Sequence, residues 1–293
     1  MIILLFIINQ DVDFEDLFNK ATTSLIKFQA VKDSASQKFI TLGQDSLLTD
    51  TTINFLISKF DTKSASERHV IKNILKKIGK PAIKGIVEKI DYRGSDRDFR
   101  CLKQSLWVLG EIGGEEIVEP AARFIDDEQW QIRSATYTTL GKSKSIRALP
   151  HVIKGLDDSI SVVRKSAYYA LSEVATEAEI LYLIDGLDDE FYGVRYAAVQ
   201  GLLNIGEKVF NPLIKVIGEN PLKDYFIFKC LSKLDIDEDE KGEIIKISKE
   251  KESPIRLLIY QEFKDENLLK PFLEFEKNEM LRNYIIKKIF DLQ

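Results

Sequence analysis

The chain has 293 residues, and its 42 Lys and Arg against 47 Asp and Glu leave a formal net charge of −5, which excludes a polybasic, histone-like mode of polyanion binding. Hydrophobic residues at 44% and charged residues at 30% belong to a chain that folds and is not disordered. Seven prolines and 15 glycines are few for this length, which favours long uninterrupted helices over turn-rich sheets.

The N-terminus opens on an apolar run, Ile2 to Ile8. It is too short to span a bilayer and lacks a basic flank or a small-residue cleavage site, so it reads as an apolar first turn, or as a truncated signal peptide. A helix is expected around Phe14, and no membrane span is expected anywhere. From there the pattern alternates short apolar stretches with longer amphipathic segments, the longer ones near 34–43, 65–78, 97–110, 129–141, 160–174, 191–204, 221–233, 254–263 and 278–290. Charge is uneven along the way: 59–103 carries 13 Lys and Arg against 6 Asp and Glu, whereas 111–128 carries 7 acids and Arg123. Lysines such as Lys72, Lys76 and Lys80 fall at helical spacing and read as a solvated face.

In the middle of the chain the segments 126–140, 157–171 and 188–202 superimpose without a gap at a step of 31 residues. Each begins Asp-Asp, reaches an arginine (Arg133, Arg164, Arg195) and ends on a leucine (Leu140, Leu171, Leu202). Short stretches such as Ile117–Pro120, Ala148–Ile153, Ile180–Ile184 and Val209–Ile214 lie between them, so each unit is helix, turn, helix.

The pattern D-D-x-x-x-x-V-R-x-x-A-x-x-x-L-G resembles the HEAT repeat of the short type also called PBS-lyase HEAT-like. The match is specific over 65–217 and decays to fragments, such as Arg256 and Arg282, in 218–293 and to a bare rhythm in 10–64. The resemblance implies an all-α fold, a right-handed α-α superhelix of about eight or nine helix pairs running through 1–293 as a single solenoid with degenerate end repeats. It also implies that the repeated Asp and Arg form a structural ladder, namely Asp126, Arg133, Asp157, Arg164, Asp188 and Arg195, with the carboxylates in the turns.

With each arginine at angle zero, the residues two, three, six and seven places on are small apart from the leucine, and they share one packing arc. Positions one, four, five and eight fall on the other arc. There the sequence places Trp107, Tyr137, Tyr168, Tyr169 and Tyr196, with Trp130 and Tyr192 just before their helices. By resemblance this is the concave side, and an aromatic stripe there is expected to bind another protein or peptide.

Enzymes of the same fold make specific demands on the residues. A deoxyhypusine hydroxylase needs repeated His-Glu pairs, and the two histidines here, His69 and His151, each precede valine. A DNA glycosylase of HEAT-like fold needs a basic groove, which the acidic middle of this chain does not favour, and a bilin lyase is neither supported nor opposed by any residue. No P-loop, nucleotide-binding glycine pattern or nucleophile elbow occurs. Cys101 and Cys230 belong to no C-x-x-C pair. They lie four repeat steps apart, about 40 Å at ~10 Å per helix layer, too far for a disulfide. The sequence therefore predicts a non-catalytic scaffold or regulator without cofactor or metal, cytoplasmic unless residues 1–8 are a signal remnant. Nucleic acid is not expected as a partner. The alternative is an enzyme of HEAT-like fold, a bilin lyase or a glycosylase.

Overall fold

A computed structural model describes residues 12–93 and 99–293. The apolar run Ile2 to Ile8 lies outside them. Among the described residues the secondary structure is helical throughout, with no strand, and no helix is long and apolar enough to cross a membrane. The long helices are α1 (Gln29–Gln44), α2 (Ala65–Ile78), α3 (Arg100–Ile112), α4 (Trp130–Lys142), α5 (Ser161–Val174), α6 (Tyr192–Ile205), α7 (Pro221–Leu231), α8 (Ser253–Glu262) and α9 (Glu279–Leu292). They fall where the amphipathic segments predict them. Shorter helices precede them, among them Thr49–Ser58, Pro81–Glu88, Val118–Ala122, Leu149–Lys154, Ile180–Asp185 and Phe210–Lys215, while Glu238–Glu250 is a longer one.

Contacts divide the chain into two compact units, Met1–Ala148 and Leu149–Gln293. In the first, α1 packs on α2, α2 on α3 and α3 on α4, and the helix Thr49–Ser58 packs on Pro81–Glu88. Each long helix therefore meets the equivalent helix of the next repeat. Phe39, Ile53, Leu56, Phe60, Ile71, Leu75 and Leu109 are buried between the two rows. In the second unit α5 packs on α6, α6 on α7, α7 on α8 and α8 on α9, around Val163, Leu171, Leu183, Leu202, Phe210 and Phe228.

Small residues set the spacing of these layers. A Cβ added to Gly201 in α6 would fall 2.6 Å from Leu183 Cδ2 and 3.3 Å from Ser172 Cα, so the backbones of α5 and α6 approach as closely as a missing side chain permits. Polar side chains then tie one layer to the next: Thr139 Oγ1 donates to the Leu106 carbonyl at 2.9 Å, and Asn204 Nδ2 donates to that of Ser172 at 2.9 Å. Both carbonyls are thereby satisfied by the neighbouring repeat.

Helix ends also follow from local chemistry. Gly206 takes φ +85° after α6 and its N–H donates to the Leu202 carbonyl at 3.2 Å, closing the last turn in a conformation that a side chain would strain. The same device, with Gly113 at φ +70°, ends α3.

Candidate functional site

The turns between paired helices are built alike. Asp127, Asp158 and Asp189 each accept, through Oδ1, the N–H two residues on, at 2.9, 2.9 and 2.7 Å. Six residues after each aspartate an arginine donates Nη1 back to that aspartate's own carbonyl, Arg133 at 2.8 Å, Arg164 at 2.9 Å and Arg195 at 2.5 Å. Upstream, Arg68 does the same to the Thr62 carbonyl at 2.7 Å. The arginine thus clamps the turn that precedes its own helix, using backbone acceptors that any residue supplies.

Between repeats, the carboxylate's second job is to meet the preceding arginine. Asp189 takes Arg164 as a fork, Nε at 2.7 Å and Nη2 at 3.1 Å, and Glu190 adds a contact to Nη2 at 3.2 Å. The hydrogen bonds from Asp189 hold the Arg164 guanidinium above its ordinary pKa, against partial burial. Asp127 pairs with Arg93, which stands 34 residues before it and outside the place that Arg164 holds relative to Asp189. The rung to a repeat arginine in the second unit therefore runs through Asp189, the second aspartate of its pair. Asp126, Asp157 and Asp188, the first aspartates, are exposed instead, because the Oδ1 bond to the N–H two residues on fixes only the second one in the turn. Asp188 accepts from Asn220 Nδ2 at 2.6 Å.

The aromatic residues separate into two groups. Tyr137 and Tyr168 are buried, 2% and 6% exposed, and leave the expected stripe. At 100° per residue, the place four after the arginine lies at about 40°, about 60° beyond the leucine that closes the packed arc, so it stands at the border of that arc. For Tyr168 the partner is visible: its ring lies on Gly186, where an added Cβ would be 2.7 Å from Cζ. Glycines recur at 155 and 186, one repeat apart, and this is the signal in the sequence for a core tyrosine.

The second group remains at the surface. In the second unit Tyr169 is 38% exposed, Tyr196 38% and Tyr192 53%. Tyr192 and Tyr196 stack with centroids 6.3 Å apart, and Tyr192 also meets Phe226 at 6.0 Å. Partial burial, then the neighbouring Tyr196 and Tyr192, pushes the Tyr169 hydroxyl above its ordinary pKa. The Lys165 ammonium lies 5.7 Å from the Tyr169 ring and Lys229 lies 5.4 Å from that of Tyr225. Helices α5 and α7 so contribute tyrosines with lysines beside them, and α6 contributes Tyr192 with Arg195 5.7 Å from its ring.

In the first unit Trp130 is exposed, whereas Trp107 is half-buried between Lys72, 4.4 Å from its ring, and Lys142, 5.7 Å away. Lys76 and Lys142 both pair with Glu111, and Lys80 with Glu116 at 2.9 Å. The basic stretch of this unit is in part neutralised by its own acids. Both thiols are buried, Cys101 in α3 and Cys230 in α7, and burial pushes Cys230 up to about 12, an unreactive value at neutral pH.

Residues 92–172 match the family model for HEAT repeats. No curated protein matches the chain. Among solved structures, the karyopherin Kap95p bound to RanGDP is similar with a TM-score of 0.51 at 11% identity, over 95% of this chain and 42% of Kap95p. Kap121p bound to the extreme C-terminus of the phosphatase Cdc14p gives 0.51 at 12% identity, over 89% of this chain and 35% of that one. The CpcE and CpcF complex of phycocyanin lyase from Nostoc sp. PCC7120 gives 0.44 at 15% identity, over 82% and 94% of the two chains. At these identities the likeness to Kap95p and Kap121p is one of fold, the helical solenoid.

Proposed function

Because the chain carries HEAT repeats, we propose that it is a non-catalytic scaffold or regulator that binds another protein or peptide, and that the second unit binds through Tyr169, Tyr192 and Tyr196. The observation that carries this reading is that three large aromatic side chains from two successive helices stay more than a third exposed and adjacent. Lysine or glutamate at these places would cost no packing, since the repeat closes its layers with other positions. Tyrosine offers wide apolar area and a hydroxyl at small rotamer cost, which suits the centre of an interface. Trp130 and Trp107 would serve the first unit in the same manner.

The reading is tested by placing a photo-crosslinking phenylalanine at position 196 and, as a control, at position 243, in cells of the native host. A discrete adduct from position 196 alone is expected. The captured protein, purified, should bind a Tyr169→Ala/Tyr196→Ala variant more weakly by about 1 to 3 kcal/mol, with unchanged thermal unfolding. Equal binding by wild type and variant would sink the proposal.

A further inference from the structure

In the second unit three arginines stand in the first turn of a long helix, and each gives Nη1 to the turn before it: Arg164 to the Asp158 carbonyl, Arg195 to that of Asp189 and Arg256 to that of Lys251. The other edge of each guanidinium, Nε with Nη2, is left for a carboxylate. On Arg164 that edge forks onto Asp189, and on Arg256 onto Glu276. On Arg195 it is empty: Nε is buried with no acceptor, and Nη2 makes no hydrogen bond among the described residues. The cause is local. Asp189 and Glu190 meet Arg164, and one repeat further on their places hold Asn220 and Pro221. A buried N–H left without an acceptor is costly, and the edge of a guanidinium is shaped for a carboxylate.

The surroundings of that edge are aromatic and positive. The Arg195 guanidinium lies 5.1 Å from the Phe226 ring and 5.7 Å from that of Tyr192. Phe226 is buried, but Tyr192 is 53% exposed and stacks on the exposed Tyr196, so one of the two rings over the guanidinium is itself at the surface. Lys165 lies against the Tyr169 ring and Lys229 against that of Tyr225, and neither is in an ion pair among the described residues. Burial works against the charge of Lys229, but its bond to the Tyr225 hydroxyl, with Tyr225, Tyr192 and Glu262 nearby, outweighs that and holds its pKa above the ordinary value. Lys229 therefore belongs to the same surface as Tyr192.

We propose that the Nε and Nη2 edge of Arg195 takes the carboxylate of an aspartate or glutamate in a peptide segment of the partner protein, which supplies from outside the rung that Asn220 and Pro221 omit. The inference rests on the reading of Tyr169, Tyr192 and Tyr196 as a binding surface and names what is bound there. Charge complementarity selects the occupant. The edge offers two parallel N–H donors beside two ammonium groups free of acids, and an ionised carboxylate is the side chain that only accepts. An apolar neighbour of that acid in the segment then lies on Tyr192 and Tyr196.

The probe is a phage-displayed library of random dodecapeptides selected on the full chain, followed by fluorescence titration of the tightest peptide made synthetically. Enriched sequences are expected to carry Asp or Glu next to an aromatic or aliphatic residue, and replacing that acid by its amide should raise Kd about tenfold. The variant Asn220→Asp/Asp188→Asn offers Arg195 an internal carboxylate and should weaken the acidic peptide by a similar factor, while Asp188→Asn alone should not weaken it. Because the exchange leaves the net charge unaltered, a loss there is not diffuse attraction to Lys165 and Lys229. Full affinity of the amide peptide, full affinity of the exchange variant, or an equal loss in Asp188→Asn would each overturn the inference; a weaker Tyr169→Ala/Tyr196→Ala complex in the same series would leave the tyrosine surface standing. Selected peptides that bind Tyr169→Ala/Tyr196→Ala as tightly as wild type, or a selection that enriches none, would overturn the reading of the surface and the inference with it.

Discussion

Arg164 and Arg195 stand 31 residues apart at the same place of successive repeats, and they differ in one respect. Each donates Nη1 to the carbonyl six residues back, at 2.9 and 2.5 Å. Arg164 then forks onto Asp189, both side chains being 12% exposed. For Arg195 the residue in register with Asp189 is Asn220. It keeps the turn, accepting from the Leu222 N–H at 2.8 Å, but its amide is directed to Asp188. Arg195 lies 5.1 Å from the Phe226 ring and 5.7 Å from that of Tyr192, and its buried Nε has no acceptor. Closing the turn and holding the preceding arginine are therefore separable tasks, and an amide performs only the first.

The C-terminal end performs both tasks with a different residue. Glu276, its side chain wholly buried, accepts from Arg256 Nε at 2.8 Å and Nη2 at 3.0 Å, from the Tyr260 hydroxyl at 2.8 Å and from the Asn278 N–H at 2.9 Å. The bond to the N–H two residues on is the same one that Asp189 makes. Burial alone pushes the Glu276 carboxyl up, but the bonds from Arg256, Asn278 and Tyr260 together outweigh it and hold the group below its usual range. The largest expected effect follows. Glu276→Gln should cost about 3 to 5 kcal/mol in denaturant titration, since it leaves a buried guanidinium uncompensated. The sign with pH is that of a depressed carboxylate: the stabilisation is present above the unfolded value near ~4.3 and is lost as pH falls from there through the lower folded value. A Glu276→Gln protein as stable as wild type, or one with the same acid profile, would break the analogy between Glu276 and Asp189.

Arg164 is the intermediate case. Arg164→Ala should destabilise by about 1 to 3 kcal/mol, by loss of a charge-assisted fork and of the turn clamp. A double-mutant cycle with Asp189→Asn separates the two, because only the fork is shared and only the fork should appear as coupling. Coupling near zero would assign the whole loss to the backbone carbonyl of Asp158.

The helices and their order are legible in the sequence because a 31-residue step repeats apolar places that packing needs in every unit. The ladder is legible in its arginines but not in its acids. Two adjacent aspartates look alike in a sequence, and only the turn geometry makes Asp189 face Arg164 while Asp188 faces out. Tyr168 escapes the helix-angle argument for a similar reason: its angle lies at the border of the packed arc, and the decision belongs to Gly186 in the following repeat. Glu276 is invisible because it stands 20 residues beyond Arg256, whereas Asp189 stands 25 beyond Arg164, so the repeat register skips it. For Tyr169 and Tyr196 the angle alone suffices, since no glycine of the next repeat opens a place for them in the core, whereas Tyr192 is read from its place at the start of its helix.

The smallest effect gives the sharpest comparison. If the amide at 220 is all that denies Arg195 a fork, restoring the acid should restore the rung. Asn220→Asp alone sets a gain against a loss: Arg195 acquires a carboxylate, but Asp188 loses its N–H donor and faces a second negative charge at a place where the atoms now lie 2.6 Å apart. The single variant should therefore be close to neutral. Asn220→Asp/Asp188→Asn exchanges the two side chains, so that an amide at 188 donates to a carboxylate at 220 and the hydrogen bond survives with its direction reversed. Each oxygen of the new carboxylate still has a second lone pair for Nε and Nη2 of Arg195, as Asp189 Oδ1 serves both the Phe191 N–H and Arg164 Nη2. Part of the gain is offset if the guanidinium leaves Phe226 and Tyr192, a contact worth about 0.5 to 1 kcal/mol at a partly exposed site. A fork on a half-buried arginine contributes about 1.5 to 3 kcal/mol. The difference is a net stabilisation of about 1 kcal/mol for the double variant, read in denaturant titration against Asp188→Asn alone. Equal stability of those two proteins would mean that the aromatic rings, and not the amide at 220, hold Arg195 away from a carboxylate.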